Sequence, residues 1–182
     1  VARMSDTAAI ARSIASALGR PFVVAAAEPA GGGCINEALV VRGEGERYFV
    51  KLNRSDRAGM FAAEADGLRE LSAAGAIRVP QPICSGVNGR AFLVLEYLPL
   101  GAERGASLER LGHQLAALHR RTQTKFGWRR DNTIGSTPQA NTEHEDWIEF
   151  WRSRRLLPQL ALATDNGHAR ALARGARLAE RL

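Results

Sequence analysis

The sequence predicts an α+β fold, a five-stranded antiparallel sheet with one inserted helix followed by a helical region, and three observations carry that expectation. Short apolar runs separated by glycine-rich breaks fill residues 22–52. Helical periodicity interrupts them at 57–74, and two more strand-like runs follow before residue 98. Beyond Pro99 the pattern turns helical, and Pro99, Gly101 and Gly105 punctuate the change. A first domain is therefore expected over residues 1–98 and an incomplete helical one over 99–182.

Taken in order, Ser5 can cap a helix in which Ile10, Ile14 and Leu18 recur every fourth residue and which Gly19 ends. Phe22–Ala27, Ala38–Arg42 and Arg47–Leu52 read as an antiparallel meander, separated by Gly31-Gly32-Gly33 and by Gly43-Glu44-Gly45. Arg57–Ala74 is the inserted helix. After Pro80 and Pro82 a strand pair turns at Asn88-Gly89 and returns through Ala91–Tyr97. Ser107–Arg121 is helical, the stretch to Asn141 irregular, and Glu143–Leu162 and Gly167–Leu182 helical again.

Composition narrows the class. The 182 residues are 45% apolar and 24% charged, as in ordinary globular domains. No apolar run approaches the roughly 20 residues that span a bilayer, and no signal peptide is evident at the N-terminus. A cytoplasmic protein with no membrane partner is expected. Cys34 and Cys84 are too few for a disulfide framework and lie in unlike contexts, so no metal site is predicted. The net charge of +6 comes from 25 basic residues of which only Lys51 and Lys125 are lysines, a compositional bias rather than a binding arm. Arg170, Arg174, Arg177 and Arg181 fall on one helical face, which keeps open a non-catalytic basic module binding nucleotide or nucleic acid; the plainer reading is a solvated face. No specific nucleic acid is expected.

Lys51 is the most informative residue, a rare lysine inside the apolar strand Tyr48-Phe49-Val50-Lys51-Leu52. A strand lysine commonly points to water. In the next helix, however, Phe61, Glu64, Leu68 and Leu71 share one stripe, which turns the Glu64 carboxylate toward the sheet. A carboxylate there needs a cation, and a structural salt bridge would satisfy the same facts. The order of elements goes further: a glycine loop between two strands, a lysine on the third, a glutamate on the following helix, then two strands and a linker. That order is the N-lobe of a protein-kinase-like fold, in which the lysine holds the α- and β-phosphates of ATP, the glutamate fixes the lysine, and loop amides cover the phosphates. Lys51 and Glu64 are thus the catalytic candidates. Gly31, Gly32, Gly33, Cys34, Ile35 and Asn36 form the nucleotide loop, although they lack the G-x-G-x-x-G pattern and a plain hairpin would also use glycines. Glu96, Tyr97 and Leu98 form the hinge that meets adenine through main-chain groups. A phosphate-attracting loop also makes Cys34 a candidate oxidisable thiol, against an inert one.

Gly31-Gly32-Gly33-Cys34-Ile35-Asn36, Phe49-Val50-Lys51-Leu52-Asn53 and Met60–Leu68 together resemble the fructosamine kinase family. Leu111–His119, Phe126-Gly127-Trp128, Asp131–Gly135, Pro138–Asn141 and Asp146 through Leu156 are similar to its second lobe. The Lys51 and Glu64 motifs are shared with aminoglycoside- and choline-type kinases, an alternative within the enzyme class, whereas residues 126–160 are particular to this family.

The resemblance implies ATP- and magnesium-dependent phosphorylation of a ketosamine 3-hydroxyl, on fructosamines or ribulosamines, with a glycated amine or glycated lysine as substrate, in deglycation. Two departures stand out. Glu143 occupies a place where a tryptophan is expected, and the family's His-Gly-Asp-Leu-Trp-x-x-Asn loop and later metal-binding aspartate do not occur in this sequence. The chain is accordingly expected to be a fragment, inactive alone, whose metal ligands lie elsewhere and whose uncovered apolar surface favours a dimer. Among the remaining polar residues, His119 suits a helix C-terminus, and His113, His144 and His168 read as surface groups. Asp131 and Asn132 are candidate substrate-side groups. Trp128, Trp147 and Trp151 can stack on a sugar, but the last two, four apart, read as core.

Overall fold

The computed structural model describes residues 4–31, 35–102 and 105–182. The chain forms two compact units, Val1–Arg121 and Thr122–Leu182.

The first unit is built on five strands, β1 (Ala26–Pro29), β2 (Glu37–Gly43), β3 (Glu46–Arg54), β4 (Pro82–Asn88) and β5 (Arg90–Glu96). Their order is β1-β2-β3-β5-β4, with every neighbouring pair antiparallel. Helix α1 (Met4–Leu18) covers one face and α2 (Ala58–Ala74) the other. Pleat alternation decides which residues go where. Leu39, Val41, Tyr48, Val50, Leu52, Phe92 and Val94 join Ile10 and Ile14 of α1 in one core. Ala91, Leu93 and Leu95 join Phe61 and Ala65 of α2 in a second. A third helix, α3 (Ser107–His119), completes the unit and buries none of its residues.

Two turns follow from their residues. Glu44 and Gly45 both take positive φ, 53° and 81°, the twist a two-residue hairpin needs. At the other hairpin Gly89 has φ 67°, where the Asn-Gly pair places the reversal. Gly43 is required for a different reason. A Cβ there would stand 2.0 Å from the Val23 carbonyl oxygen, where the segment before β1 crosses β2. Gly43→Ala must therefore displace backbone, and we expect a loss of about 1–3 kcal/mol of stability, read from the urea midpoint.

Several expectations need correction. The first strand is not Phe22–Ala27 but Ala26–Pro29. Phe22 precedes it and plugs the α1-side core, its ring edge-on to Tyr48 at 5.3 Å. Ser5 lies within α1 rather than ahead of it. Leu71, assigned to the inward stripe of α2, is exposed, and the small Ala65 takes the contact with β5.

The second unit contains a hairpin, β6 (Asn132–Ile134) and β7 (Thr137–Gln139), where no structure was expected. The helix expected over Glu143–Leu162 starts late, as α4 (Trp147–Trp151), because Asp146 caps it: its Oδ1 accepts the Glu149 amide at 2.7 Å. A π-turn over Arg152–Leu156 then leads into α5 (Leu157–Asp165). Pro158 explains the widening, since it has no N–H to give the Arg154 carbonyl. That carbonyl instead accepts from Arg155 Nη1 at 2.9 Å. The last helix is α6 (Ala169–Ala179), shorter than Gly167–Leu182. Gly175 lets it approach the Leu160 side chain of α5, and Arg152 Nε caps its end at the Ala179 carbonyl, 2.8 Å away.

Candidate nucleotide-binding site

Alternation in β3 puts Tyr48, Val50 and Leu52 into the α1-side core and leaves Phe49, Lys51 and Asn53 on the α2 side. On α2, Phe61, Ala65 and Leu68 pack against the same face and bring Glu64 to Lys51. Lys51 Nζ donates to Oε1 at 2.8 Å and to Oε2 at 2.7 Å of Glu64. The two side chains are 23% and 29% exposed, so the pair sits at the rim of the core with an open side toward solvent. An ammonium has three N–H donors. With two directed at Glu64, the third is available to another acceptor. A pair this accessible contributes about 1 kcal/mol or less to stability. Its larger effect is to fix a cation in one place.

The two described ends of the connection from β1 to β2 are anchored on the strands next to this pair. Lys51 is paired in register with Ala38, and the Ala30 amide bonds the Ala38 carbonyl at 2.9 Å, which sets the loop's entry. Its exit is tied to β3 by Asn53, whose Nδ2 donates to the Ile35 carbonyl at 3.1 Å and to Asn36 Oδ1 at 2.7 Å. Gly31 is exposed, while Gly32, Gly33 and Cys34 lie outside the described residues. At the end of β5 the Glu96 amide donates to the Gln81 carbonyl at 2.8 Å, and the Glu96 carboxylate pairs with Arg78 and accepts the Gln81 amide at 3.2 Å. The strand ends there, so Tyr97 and Leu98 carry main-chain groups beyond the last ladder position. The guanidinium of Arg47 stands 5.5 Å over the Tyr97 ring.

Cys84, on β4, is half-buried, and burial pushes its thiol up to about 11. At pH 8 almost none of it is thiolate. Iodoacetamide should therefore modify Cys84 well over tenfold more slowly than a small free thiol at that pH. Modification at the free-thiol rate would show that the thiol is neither buried nor shifted.

In the second unit the structure shows what several of the candidate residues contact. Asp131 Oδ1 accepts the Asn141 amide at 2.7 Å, and Asn132 Oδ1 accepts from Asn141 Nδ2 at 2.9 Å and from Gln139 Nε2 at 3.0 Å. These candidate substrate-side groups therefore hold a loop together. Its hub is Asn141, 2% exposed, which also donates to the Arg130 carbonyl at 3.0 Å and accepts from Arg155 Nη2 at 2.5 Å. Trp147 is 51% exposed rather than core, leaning on Phe126 at 5.4 Å, and Phe150 is the buried ring of that helix. His119 is the exposed last residue of α3. Arg170, Arg174, Arg177 and Arg181 are all exposed.

Sequence reasoning passed over Asn53, Asn141 and Arg155 as individual residues. Asn53 was legible only as part of a motif. Asn141 gathers partners up to fourteen residues away, which no local pattern marks.

A five-stranded antiparallel sheet whose central strand offers a lysine to a helix glutamate defines the small lobe of a protein-kinase-like fold. The chain belongs to the fructosamine kinase family, whose sequence profile matches residues 6–182. It is 44% identical over 156 residues to a probable ketoamine kinase of Synechocystis sp., covering 85% of this chain and 53% of that protein. It is 45% identical over 139 residues to the chloroplastic protein-ribulosamine 3-kinase of Arabidopsis thaliana, covering 74% and 42%. The crystal structure of a candidate fructosamine-3-kinase from Haemophilus somnus superposes with a TM-score of 0.81 at 29% identity, over 87% of this chain and 54% of that one. The chain thus spans about half the length of the relatives it matches. Among the described residues no helix is long and apolar enough to cross a membrane.

Proposed function

We propose that this chain supplies the ATP-binding part of a kinase that phosphorylates a ketosamine hydroxyl, on a fructosamine or ribulosamine borne by an amine or a protein lysine. The observation that carries the proposal is the Lys51 ammonium, held by both oxygens of Glu64 with one donor left over. In this reading that donor meets the α- and β-phosphate oxygens. The β1–β2 loop lies over the phosphates with its backbone amides, and the main chain at Tyr97 and Leu98 receives adenine. In the same reading the nucleotide lobe ends at Leu98, within the first compact unit, and α3 begins the helical lobe. The family's ketoamine and ribulosamine kinases support the substrate class by their names.

The residues fit a nucleotide polyphosphate, because a fixed, partly exposed cation on a rigid strand is what a phosphate chain requires. Magnesium bound with ATP would neutralise phosphate charge. Among the described residues no group of three or more His, Cys, Asp or Glu is placed to hold it, so no metal ligand is assigned here. A cytoplasmic setting, where ATP is abundant, belongs to the same proposal. So does self-association through Leu108, Leu111 and Leu115, the exposed leucines of α3; a monomer in sedimentation at all concentrations would remove that element.

The test is calorimetric titration of the purified chain with ATP, followed by ADP release on adding fructosyl-lysine to a protein in which this chain is joined to the family's His-Gly-Asp-Leu-Trp-x-x-Asn loop and metal-binding aspartate. Binding that Lys51→Ala abolishes is the expected result. Absence of ATP binding by the unaltered chain would end the nucleotide reading, and ATP binding without ketosamine-dependent ADP release by the protein that carries the catalytic loop would end the substrate reading.

A further inference from the structure

Asn53 sits two residues beyond Lys51 on the same strand and the same face. In register it pairs with Ala91 of β5 through the backbone, so its side chain is free of the ladder. That side chain turns toward β2. Nδ2 donates to the Ile35 carbonyl at 3.1 Å and to Asn36 Oδ1 at 2.7 Å, while Oδ1 accepts the Arg54 amide at 2.7 Å. The β2–β3 ladder begins only at Glu37. Ile35 and Asn36 thus lie just outside backbone pairing, and Asn53 extends the pairing by two residues using side-chain atoms. One strand consequently fixes both the cation and the point at which the β1–β2 loop rejoins the sheet. Two strand residues span roughly 7 Å, which is within the reach of a single polyphosphate chain.

We propose that Asn53 is a positioning residue for the nucleotide: it holds Ile35 and Asn36 at a set place relative to Lys51, so that the main chain there and the ammonium engage one polyphosphate together. The inference rests on the reading of Lys51 as the phosphate-holding cation. It differs in consequence from simple stabilisation of the sheet. Loosening Ile35 and Asn36 disturbs what the phosphates meet and leaves adenine recognition at the other end of the site untouched. A merely structural asparagine would weaken binding of ATP and adenosine alike.

The experiment measures dissociation constants for ATP and for adenosine by calorimetry, on the unaltered protein, Asn53→Ala, Asn36→Ala and Lys51→Ala. Loss of the two Asn53 donor bonds should raise the Kd for ATP by about tenfold and leave that for adenosine within twofold. Asn36→Ala removes the shorter contact but keeps the Ile35 carbonyl, and should raise the ATP value about threefold with adenosine again unchanged. It also serves if Asn53→Ala folds too poorly to titrate. An unchanged ATP constant, or equal losses for both ligands, overturns the assignment to Asn53. If Lys51→Ala too leaves ATP binding unchanged, the phosphate reading itself falls and this inference with it. A loss in Lys51→Ala with none in the asparagine variants overturns this inference alone.

Discussion

Lys51→Ala is expected to weaken ATP binding by roughly 100-fold, the scale of a lost hydrogen bond to a charged group, with little change in stability. The asymmetry follows from the geometry. The pair with Glu64 is open to solvent, 23% and 29% exposed, so its removal costs the fold about 1 kcal/mol at most, and Glu64 can rehydrate. The phosphates have no such substitute. A ligand at 100 times its Kd stabilises a protein by about 2.7 kcal/mol; a hundredfold weaker Kd leaves about 0.4 kcal/mol at the same concentration. Melting with and without ATP therefore separates two roles. An ATP-induced rise in Tm that disappears in Lys51→Ala, while the ligand-free Tm holds, is the result expected of a phosphate-holding cation. A ligand-free Tm that falls steeply, with the ATP-induced rise intact, would make the pair a structural bridge. Lys51→Arg should not restore ATP affinity, because a wide planar fork cannot keep both Glu64 contacts and the phosphate contact that a compact ammonium makes.

The centre of this site was legible because two local signals met at one point. Lys51 stood out as a rare lysine within an apolar strand, whose pleat sets it on the face opposite Val50 and Leu52, and a period near 3.6 placed Glu64 on the stripe of Phe61 and Leu68. Neither inference needed distant information. The stripe drifted at Leu71, an exposed residue that contributes nothing to the α2-side core, and no sequence pattern says where a helix overruns its sheet. The first strand was misplaced for a related reason. Phe22 is apolar because it fills a gap against Tyr48, not because it lies in a pleat, and periodicity cannot distinguish the two. In the second unit one signal was present and unused: Asp146 three residues before Glu149 is a helix start. The β6–β7 hairpin left almost no local trace, since its strands are three residues each and Asn132 is held by Asn141, which lies outside both strands.

That dependence on Asn141 gives the largest expected effect on folding. Asn141→Ala should destabilise the second unit by about 2–4 kcal/mol, since it leaves Arg155 Nη2 and the Arg130 carbonyl without this partner and removes one of the two donors to Asn132 Oδ1. Arg155 is the costly partner. Its Nη2 donates to Asn141 Oδ1 at 2.5 Å and its Nη1 to the Ala140 carbonyl at 2.8 Å, with the guanidinium 4.6 Å over the Phe150 ring. Burial lowers the pKa of that guanidinium, and these acceptors offset its partial loss of water. Arg155→Met removes the charge with its need for partners and should cost less than Asn141→Ala. In a double-mutant cycle the two losses should fall short of additive by about 1.5–3 kcal/mol, the range for a hydrogen bond to a charged group. All three tryptophans, Trp128, Trp147 and Trp151, lie in the second unit. Urea unfolding followed by tryptophan fluorescence therefore reads this unit directly. Strict additivity would mean that Asn141 and Arg155 act independently, and the hairpin would then owe its position to the Asn132 and Arg130 contacts alone.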